Sequence, residues 1–490
     1  LKLFGISTAD PQQLEVRWRK ASMQTPVSRF VDLKSVLILI AVGIGVYLFA
    51  FPAPLTDGDT LLYAEIARNM VDSGDWIVLR SERMSIVDKP PLSIWPIAAS
   101  FSVFGESPLT TRAWHIAVAL GCVVLTYLIA REYYDRKTSM LSAMVLLSSI
   151  LFYYMGFVPQ QDIPGLFLIC LGILFLIRTM RRRSLASFYG IFVTLGLGLL
   201  NRGLSGLVVP AGIILACFLA TYRRGARLNL PFSTRSGWVL HTALGIAVTA
   251  AVACPWYAAA YARQGRELID VLLLSGNVRF MHDPAAQHLA VIRQILEWLS
   301  YIPLLIVGFL PWSALLWPSI RDCVARIKKE RSSSDTLIVT WAVVGLLFAF
   351  AIRWRVIRYL IPVFPPLSIM VARYIASLLE GDPFRRRTER PTDDARPANP
   401  LRKVAILDLA IVVPVFLLAV AYVFVQFTQE IPDYLPIVLP ILLSVGLSQI
   451  AFGVLALARK LRAAVYSLPL ISITGLIIAM LLLPVYWKQL

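Results

Sequence analysis

Apolar residues in this chain arrive in blocks, many of roughly 18 to 22 residues, the length a helix needs to cross hydrocarbon. Short charged stretches separate them. Candidate spans fall near 36–51, 110–130, 139–157, 163–177, 188–201, 204–220, 238–257, 299–317, 337–352, 359–378, 404–425, 435–458 and 466–487. Backbone amides in lipid must be satisfied within the protein, and blocks of this length fit helices rather than tilted barrel strands. The pattern predicts an all-α polytopic membrane protein of about thirteen transmembrane helices, with amphipathic helices beside the membrane in the first outer loop.

Placing the N-terminus inside makes the even-numbered connections cytoplasmic. They carry Arg131, Arg136 and Lys137, then Arg178 and Arg181 to Arg183, then Arg223, Arg224 and Arg227. Later come Arg321, Arg326, Lys328, Lys329 and Arg331, the 379–403 stretch, and Arg459, Lys460 and Arg462, as the positive-inside rule requires. The exception is Arg353, Arg355 and Arg358, which fall outside. They form either a plain surface cluster or a site for an anionic group near the outer membrane surface. Segment 188–220 is flanked by basic clusters on both sides, so it must cross out and return around Asn201-Arg202-Gly203. The first arm spans only about 21 Å against a core of roughly 30 Å, so Arg202 is expected to sit recessed at an outer tip.

This layout divides the chain into a cytoplasmic segment over 1–35 and a core over 36–378 with outer loops at 52–109 and 258–298. A charged, Pro-rich cytoplasmic linker at 379–403 and a three-helix region over 404–490 follow. The first thirty residues lack a signal-peptide pattern, and the first span is expected to anchor the chain uncleaved.

Composition supports the membrane reading. Of 490 residues, 58% are hydrophobic and only 16% charged. A net charge of +18, from 47 Lys plus Arg against 29 Asp plus Glu, would suggest nucleic acid in a soluble protein. Here the basic residues flank spans, and no base-stacking pattern accompanies them, so no nucleic-acid partner is expected. Of the five cysteines, Cys122, Cys170, Cys217 and Cys254 lie in spans and Cys323 in a basic loop, which argues against disulfides or a thiolate metal site.

Polar chemistry collects in the outer segments. Asp57 and Asp59 flank a glycine beyond the first span. They are either a capping turn or a general base or metal carboxylate held near the lipid surface. Tyr63, Ile66 and Met70 share one helical face, which predicts a surface helix from about residue 60 to 71 capped by Asp59 or Thr60. Asp88-Lys89-Pro90-Pro91 is a second polar focus, with Lys89 either paired to Asp88 or holding a phosphate oxygen. A second short helix is expected to begin at Pro90 or Pro91. Trp76, Trp95 and Trp114 are candidate interface anchors. Asp162, in the next outer connection, either caps the following helix or belongs to the site. Loop 258–298 holds Asn277, Arg279, His282, Asp283 and His288, a weak signal for metal or acid–base chemistry.

The ordered series of motifs resembles a known family. Asp59…Tyr63-Ala64-Glu65-Ile66-Ala67-Arg68-Asn69-Met70 followed by Ser73-Gly74-Asp75-Trp76 resembles the first periplasmic loop of the aminoarabinose transferases that modify lipid A. Those enzymes stand with the protein O-mannosyltransferases in the GT-C superfamily. Asp88-Lys89-Pro90, Asp162-Ile163-Pro164, Asn201-Arg202-Gly203 and Pro255-Trp256-Tyr257 continue the likeness, as do Arg279-Phe280, Gly308 to Trp312, and Arg358-Tyr359-Leu360-Ile361-Pro362.

The resemblance implies an inverting glycosyltransferase of the bacterial inner membrane that works at its periplasmic face. Its donor would be a polyprenyl-phosphate sugar. Its acceptor would be a periplasmic lipid, glycan or protein, as in lipopolysaccharide or other envelope-glycan modification. It implies catalytic roles for Asp59 and Asp162 and a donor-phosphate contact at Lys89, and Arg202, Arg355 and Arg358 could pair with the same phosphate and stabilise the charge on the leaving group. Asp57, Tyr63, Glu65, Arg279 and Tyr359 would be accessory, and Asp88 with His288 would be the counterparts of a divalent-metal pair. The chain departs from the family at Leu62, where an arginine is usual, and at Arg358, where a histidine is usual. The competing readings are a transporter or flippase for a lipid-linked substrate and a non-catalytic envelope assembly protein.

Overall fold

The computed structural model describes residues 32–47, 58–82, 87–223, 231–232, 234–272, 301–351, 357–380, 402–414, 417, 435–458, 460, 463–464 and 467–468. The first described helix, α1, is Leu33–Tyr47. Then come α2 (Gly58–Ser73), α3 (Trp95–Phe104), α4 (Pro108–Arg131), α5 (Arg136–Leu147) and α6 (Ile150–Phe157). The long elements α7 (Asp162–Arg182), α8 (Leu185–Arg223) and α9 (Arg235–Gln264) follow. The later part holds α10 (Tyr301–Gly308), α11 (Leu316–Glu330), α12 (Ser333–Ala351), a 3-10 turn at Ile357–Val363, α13 (Phe364–Glu380) and α14 (Leu435–Leu457).

Among the described residues, six helices are long and apolar enough to cross a membrane, or up to eight if each of two bent pairs is one span. The chain is thus an all-α polytopic membrane protein. Helices α4, α7 and α8 form its centre, with α9 and α12 against α8 and α13 against α5. A continuous core runs through these elements, including Tyr47, Tyr127, Phe152, Trp312 and Trp341.

Two of the expected spans are broken, and a third break falls where the chain was expected to turn back. The block at 139–157 divides into α5 and α6, bent by 66°. There the Ser148 and Ser149 hydroxyls bond back to the carbonyls of Met144 and Val145, both at 2.7 Å, a back-bonding pattern that bends helices. The block at 299–317 ends at Gly308, and the chain resumes at Ser313 with a 116° change of direction. The two breaks meet and satisfy each other's orphan groups. The Ile150 N–H donates to the Leu310 carbonyl at 3.0 Å, and Trp312 Nε1 donates to Ser148 Oγ at 2.9 Å. Gln449 of α14 closes the same point through Nε2 to the Pro311 carbonyl at 2.7 Å.

The third break lies inside α8, at Arg202 (φ −143°, ψ 24°) and Gly203 (φ 61°, ψ −145°). Gly203 takes a positive φ that L side chains rarely adopt. Eight residues apart along one straight helix would separate Gly198 and Gly206 by about 12 Å. Instead a Cβ on Gly198 would sit 2.1 Å from the Gly206 carbonyl oxygen. The second arm therefore folds back on the first, and only glycine at both positions permits the approach.

The first outer loop has a small apolar core of its own. Tyr63, Ile66, Ala67 and Met70 of α2 pack against Leu79, Val87 and Ile97, Ala98 and Phe101 of α3. Burial of each large side chain stabilises the unit by roughly 1.5–3 kcal/mol. Trp95 and Trp76, expected as lipid-interface anchors, instead pack within the loop and share a hydrogen bond from Trp95 Nε1 to the Trp76 carbonyl at 2.8 Å. The loop is seated on the spans by Leu92 N–H to the Leu200 carbonyl (3.0 Å), Trp256 Nε1 to the Ile77 carbonyl (3.1 Å) and Arg263 to Asp75 (2.7 Å).

Candidate functional site

The tip of the α8 break, the first outer loop, the turn before α7 and the 3-10 turn at 357–363 converge on one locus. Each brings a charged side chain, and the charges pair across elements. Arg358 Nη1 donates to Asp59 Oδ2 at 2.8 Å and to Gln160 Oε1 at 2.7 Å. Arg202 Nη1 donates to Asp162 Oδ1, and its guanidinium lies over the Tyr359 ring at 5.1 Å, a cation–π arrangement. Lys89 Nζ lies 3.6 Å from Asp88 Oδ1 and 5.9 Å from the centre of the Tyr63 ring.

Local structure explains these positions. Asp59 falls in the first turn of α2, which begins one residue earlier than Asp59 itself, so it is inside the helix rather than capping it. Carboxylates are favoured there by the helix dipole. Asp162 opens α7 for the same reason. Arg202 lies at the break beside Asn201, which is fixed on both sides. Ser93 Oγ donates to Asn201 Oδ1 at 2.5 Å, and Asn201 Nδ2 donates to the Gln161 carbonyl at 3.0 Å. The pinned Asn201 links the first loop to the turn before α7 and sets where the Arg202 guanidinium can reach.

Tyr63 is buried beneath this charge array. Burial pushes its phenol well above the ordinary value, and nearby Asp162, Asp59 and Asp88 add to the rise while Arg202 opposes it. The phenol therefore stays neutral at any physiological pH. A cavity opens at the array, with Asp162, Arg202, Arg358 and Tyr359 among its polar lining. Leu166, Ile169, Val209, Pro210 and Phe348 supply apolar wall. A polar mouth on a greasy cavity between helices suits an amphiphile with an anionic head and a hydrocarbon tail.

Of the residues singled out from the sequence, Asp59, Tyr63, Lys89, Asp88, Asp162, Arg202, Arg358 and Tyr359 are brought together. Glu65 is used differently. Its Oε1 accepts from Ser81 Oγ (2.8 Å) and the Glu82 N–H (2.7 Å), so it fixes the chain after α2. Asp57, Arg279, His288 and Arg355 lie outside the described residues. Among the described residues no group of three or more His, Cys, Asp or Glu is placed to hold a metal ion. Asp88 is the one described member of the expected metal pair.

Two residues escaped the sequence reading. Gln160 contacts Arg358, and His115 Nε2 accepts the Gln160 backbone N–H at 3.3 Å. A histidine within an apolar span is itself a signal, because polar side chains are costly in hydrocarbon. Gln160 carried no such mark.

Residues 88–262 match the family model described as dolichyl-phosphate-mannose-protein mannosyltransferase. The chain is 29% identical over 71% of its length to an undecaprenyl phosphate-alpha-4-amino-4-deoxy-L-arabinose arabinosyl transferase of Pectobacterium carotovorum, covering 60% of that protein. A protein of the same description from Aeromonas salmonicida is 28% identical over 67% of this chain and 57% of its own. The chain thus spans less than two thirds of the length of these curated relatives. In three dimensions it superposes on the crystal structure of ArnT from Cupriavidus metallidurans bound to undecaprenyl phosphate. The TM-score is 0.67 at 20% identity, covering 92% of this chain and 77% of that one. The same protein in the apo state gives 0.66 at 21% identity, covering 91% and 76%.

Proposed function

We propose that this chain, which is similar to ArnT-like and protein-mannosyltransferase proteins, is a GT-C superfamily member that carries out an inverting transfer of a sugar from a polyprenyl-phosphate donor to a periplasmic acceptor. The acceptor is a lipid, glycan or protein of the cell envelope, lipopolysaccharide included. The observation that carries this reading is the array of three cations, Lys89, Arg202 and Arg358, each paired with a carboxylate, of which Arg202 and Arg358 line an apolar-walled cavity.

The isoprenoid tail lies along the apolar wall and the phosphate sits at the mouth. Arg202 and Arg358 offer planar forks that match phosphate oxygens, and Lys89 adds a point charge. The phosphate takes over cations that carboxylates hold in its absence. Arg358 exchanges Asp59 for the donor, which leaves the Asp59 carboxylate to receive a proton from the acceptor hydroxyl. That oxygen attacks the anomeric carbon, the bond from that carbon to the phosphate oxygen breaks, and polyprenyl phosphate departs. The cations stabilise the charge growing on the leaving group. Attack from the face opposite the leaving group inverts the anomeric centre. Asp162 fixes Arg202, and neutral Tyr63 supports the array from below.

Asp88, with His288 as its counterpart by resemblance, would be the residues to hold a divalent ion. The thirteen-span layout, with α2 and α3 lying against the periplasmic membrane face, is the architecture this reaction would use. It places the site at that face of the bacterial inner membrane. The sugar is a matter for assay, since Leu62 stands where an arginine is usual in relatives that transfer aminoarabinose.

The test is to incubate purified protein with a panel of polyprenyl-phosphate sugars and envelope glycolipids and to weigh the acceptor by mass spectrometry. A gain of one sugar, lost in Lys89→Ala with unchanged thermal melting, is expected. Absence of transfer from every donor while the protein binds polyprenyl phosphate would favour a carrier-binding role without chemistry.

A further inference from the structure

Three successive residues of one turn touch the site. Gln160 Oε1 holds Arg358, the Gln161 carbonyl holds Asn201 next to Arg202, and Asp162 pairs with Arg202. The turn therefore sets the spacing between the two guanidinium groups. It is itself anchored from behind. Gln160 is buried, and its backbone N–H donates at 3.3 Å to Nε2 of His115, which is 1% exposed on α4. To accept at Nε2, the imidazole must be the neutral tautomer with its proton on Nδ1.

Gln160 and Asp59 share the same nitrogen, Arg358 Nη1, at 2.7 and 2.8 Å. The two differ in what they do to the charge. Asp59 cancels the guanidinium charge, whereas the amide oxygen orients the group and leaves its charge available. We propose that Gln160 is a positioning residue for donor binding, a neutral tether that keeps Arg358 in place while its anionic partner changes from Asp59 to the donor phosphate, and that His115 positions Gln160. This rests on the polyprenyl-phosphate reading of the site.

Two substitutions at one position separate tethering from charge. Gln160→Glu keeps shape and hydrogen bond but neutralises Arg358, so the phosphate meets an occupied cation. Gln160→Ala keeps the charge and removes the tether, so Arg358 is present but loosely aimed. An ångström of misplacement at a reacting centre is worth up to about 10²-fold in rate. At His115, Gln places an amide acceptor near the Nε2 position, whereas Leu provides none.

The experiment measures affinity for polyprenyl phosphate by titration of the purified full chain, and steady-state transfer with the donor found active. Gln160→Glu is expected to weaken carrier binding at least about 10-fold, seen as raised KM. Gln160→Ala is expected to lower kcat about 10- to 100-fold with a smaller change in KM. His115→Leu should reproduce the Gln160→Ala pattern, and His115→Gln should restore most of the lost rate. Thermal melting of each variant controls for folding. If the unsubstituted protein binds no polyprenyl phosphate, the reading of the site itself fails. If it binds while Gln160→Glu binds equally well, or His115→Gln and His115→Leu behave alike, the positioning role is overturned and the proposed function stands.

Discussion

Helix α7 carries an arginine–carboxylate cluster near each end, and the two clusters are built differently. They are separated by about 30 Å along the helix. At its start, Asp162 pairs with Arg202 beside the Arg358–Asp59 pair. At its far end, Arg178 and Arg182 converge on Glu132, whose side chain is 7% exposed. On that same side of the fold Asp335 is closed in. It accepts Nε and Nη2 of Arg326 at 3.0 and 3.1 Å, the Cys323 thiol at 3.3 Å and the Tyr134 hydroxyl at 3.5 Å. Its side chain is 1% exposed, against 37% for Asp59. A carboxylate whose oxygens are filled inside the protein fastens helices together. One that is more exposed and pairs with an arginine lining a cavity can trade that partner for an incoming anion.

The sharpest way to break this contrast is to neutralise one acid from each cluster. Asp59→Asn keeps the shape and removes the proton acceptor, and transfer is expected to fall about 10³-fold, or roughly 4 kcal/mol of barrier. Melting in detergent should stay unchanged; residual transfer within tenfold of the parent would remove Asp59 from the chemistry.

Asp335→Ala should do the reverse. Removing one partner of a buried pair costs roughly 3 kcal/mol. A lower melting temperature is expected, with transfer per folded molecule retained. A melting curve that does not move would mean the closed cluster is no fastener.

A milder test sharpens the open side. Arg358→Lys keeps the charge but discards the planar group whose Nη1 reaches both Asp59 and Gln160 and whose fork matches phosphate oxygens. Donor KM should rise about tenfold, visible in initial-rate assays across donor concentration.

The smallest effect concerns the clamps that seat the first loop. Burial would raise the Asp75 carboxyl, but the N–H groups of Val78 and Ile77, with Arg263 and Arg80, hold it below its ordinary value of 3.8. Glu106 is likewise held below 4.5, first by its hydrogen bonds from Arg68. A depressed folded-state value means that this stabilisation is complete above the unfolded value and disappears as pH falls through the folded one. Protease cutting within the loop should therefore be flat from neutral pH down to about pH 5 and rise only under stronger acid. Arg263→Gln should move that rise upward. Both groups are partly exposed, so solvent screening keeps the effect modest.

Much of this organisation was legible in the order of residues. Periodic apolar face and preceding acid marked α2 at almost its observed limits, because Tyr63, Ile66 and Met70 must bury together. The out-and-back path through Asn201-Arg202-Gly203 followed from basic clusters on both sides, and Gly203 supplies the backbone freedom for it. Motifs around Asp59, Asp88-Lys89, Asp162 and Arg202 stood out as polar islands beside long apolar stretches, where isolated charge is costly. The breaks at Ser148-Ser149 and at 309–312 were not legible, since each is stable only because the other supplies its hydrogen-bond partners.

The linear pattern thus settled that the chain crosses a membrane, where its polar chemistry gathers and which residue types serve it, because hydrocarbon penalises charge locally, residue by residue. Tertiary structure decided which acid faces which base. Arg358 meets Asp59 across 299 residues and Gln160 across 198. Such pairings depend on the bends and crossings of several helices at once, and no local propensity encodes them. For the first outer loop the consequence is concrete: its Asp59 is held by a cation from the far end of the core, and its Glu65 ties α2 to Ser81 and Glu82.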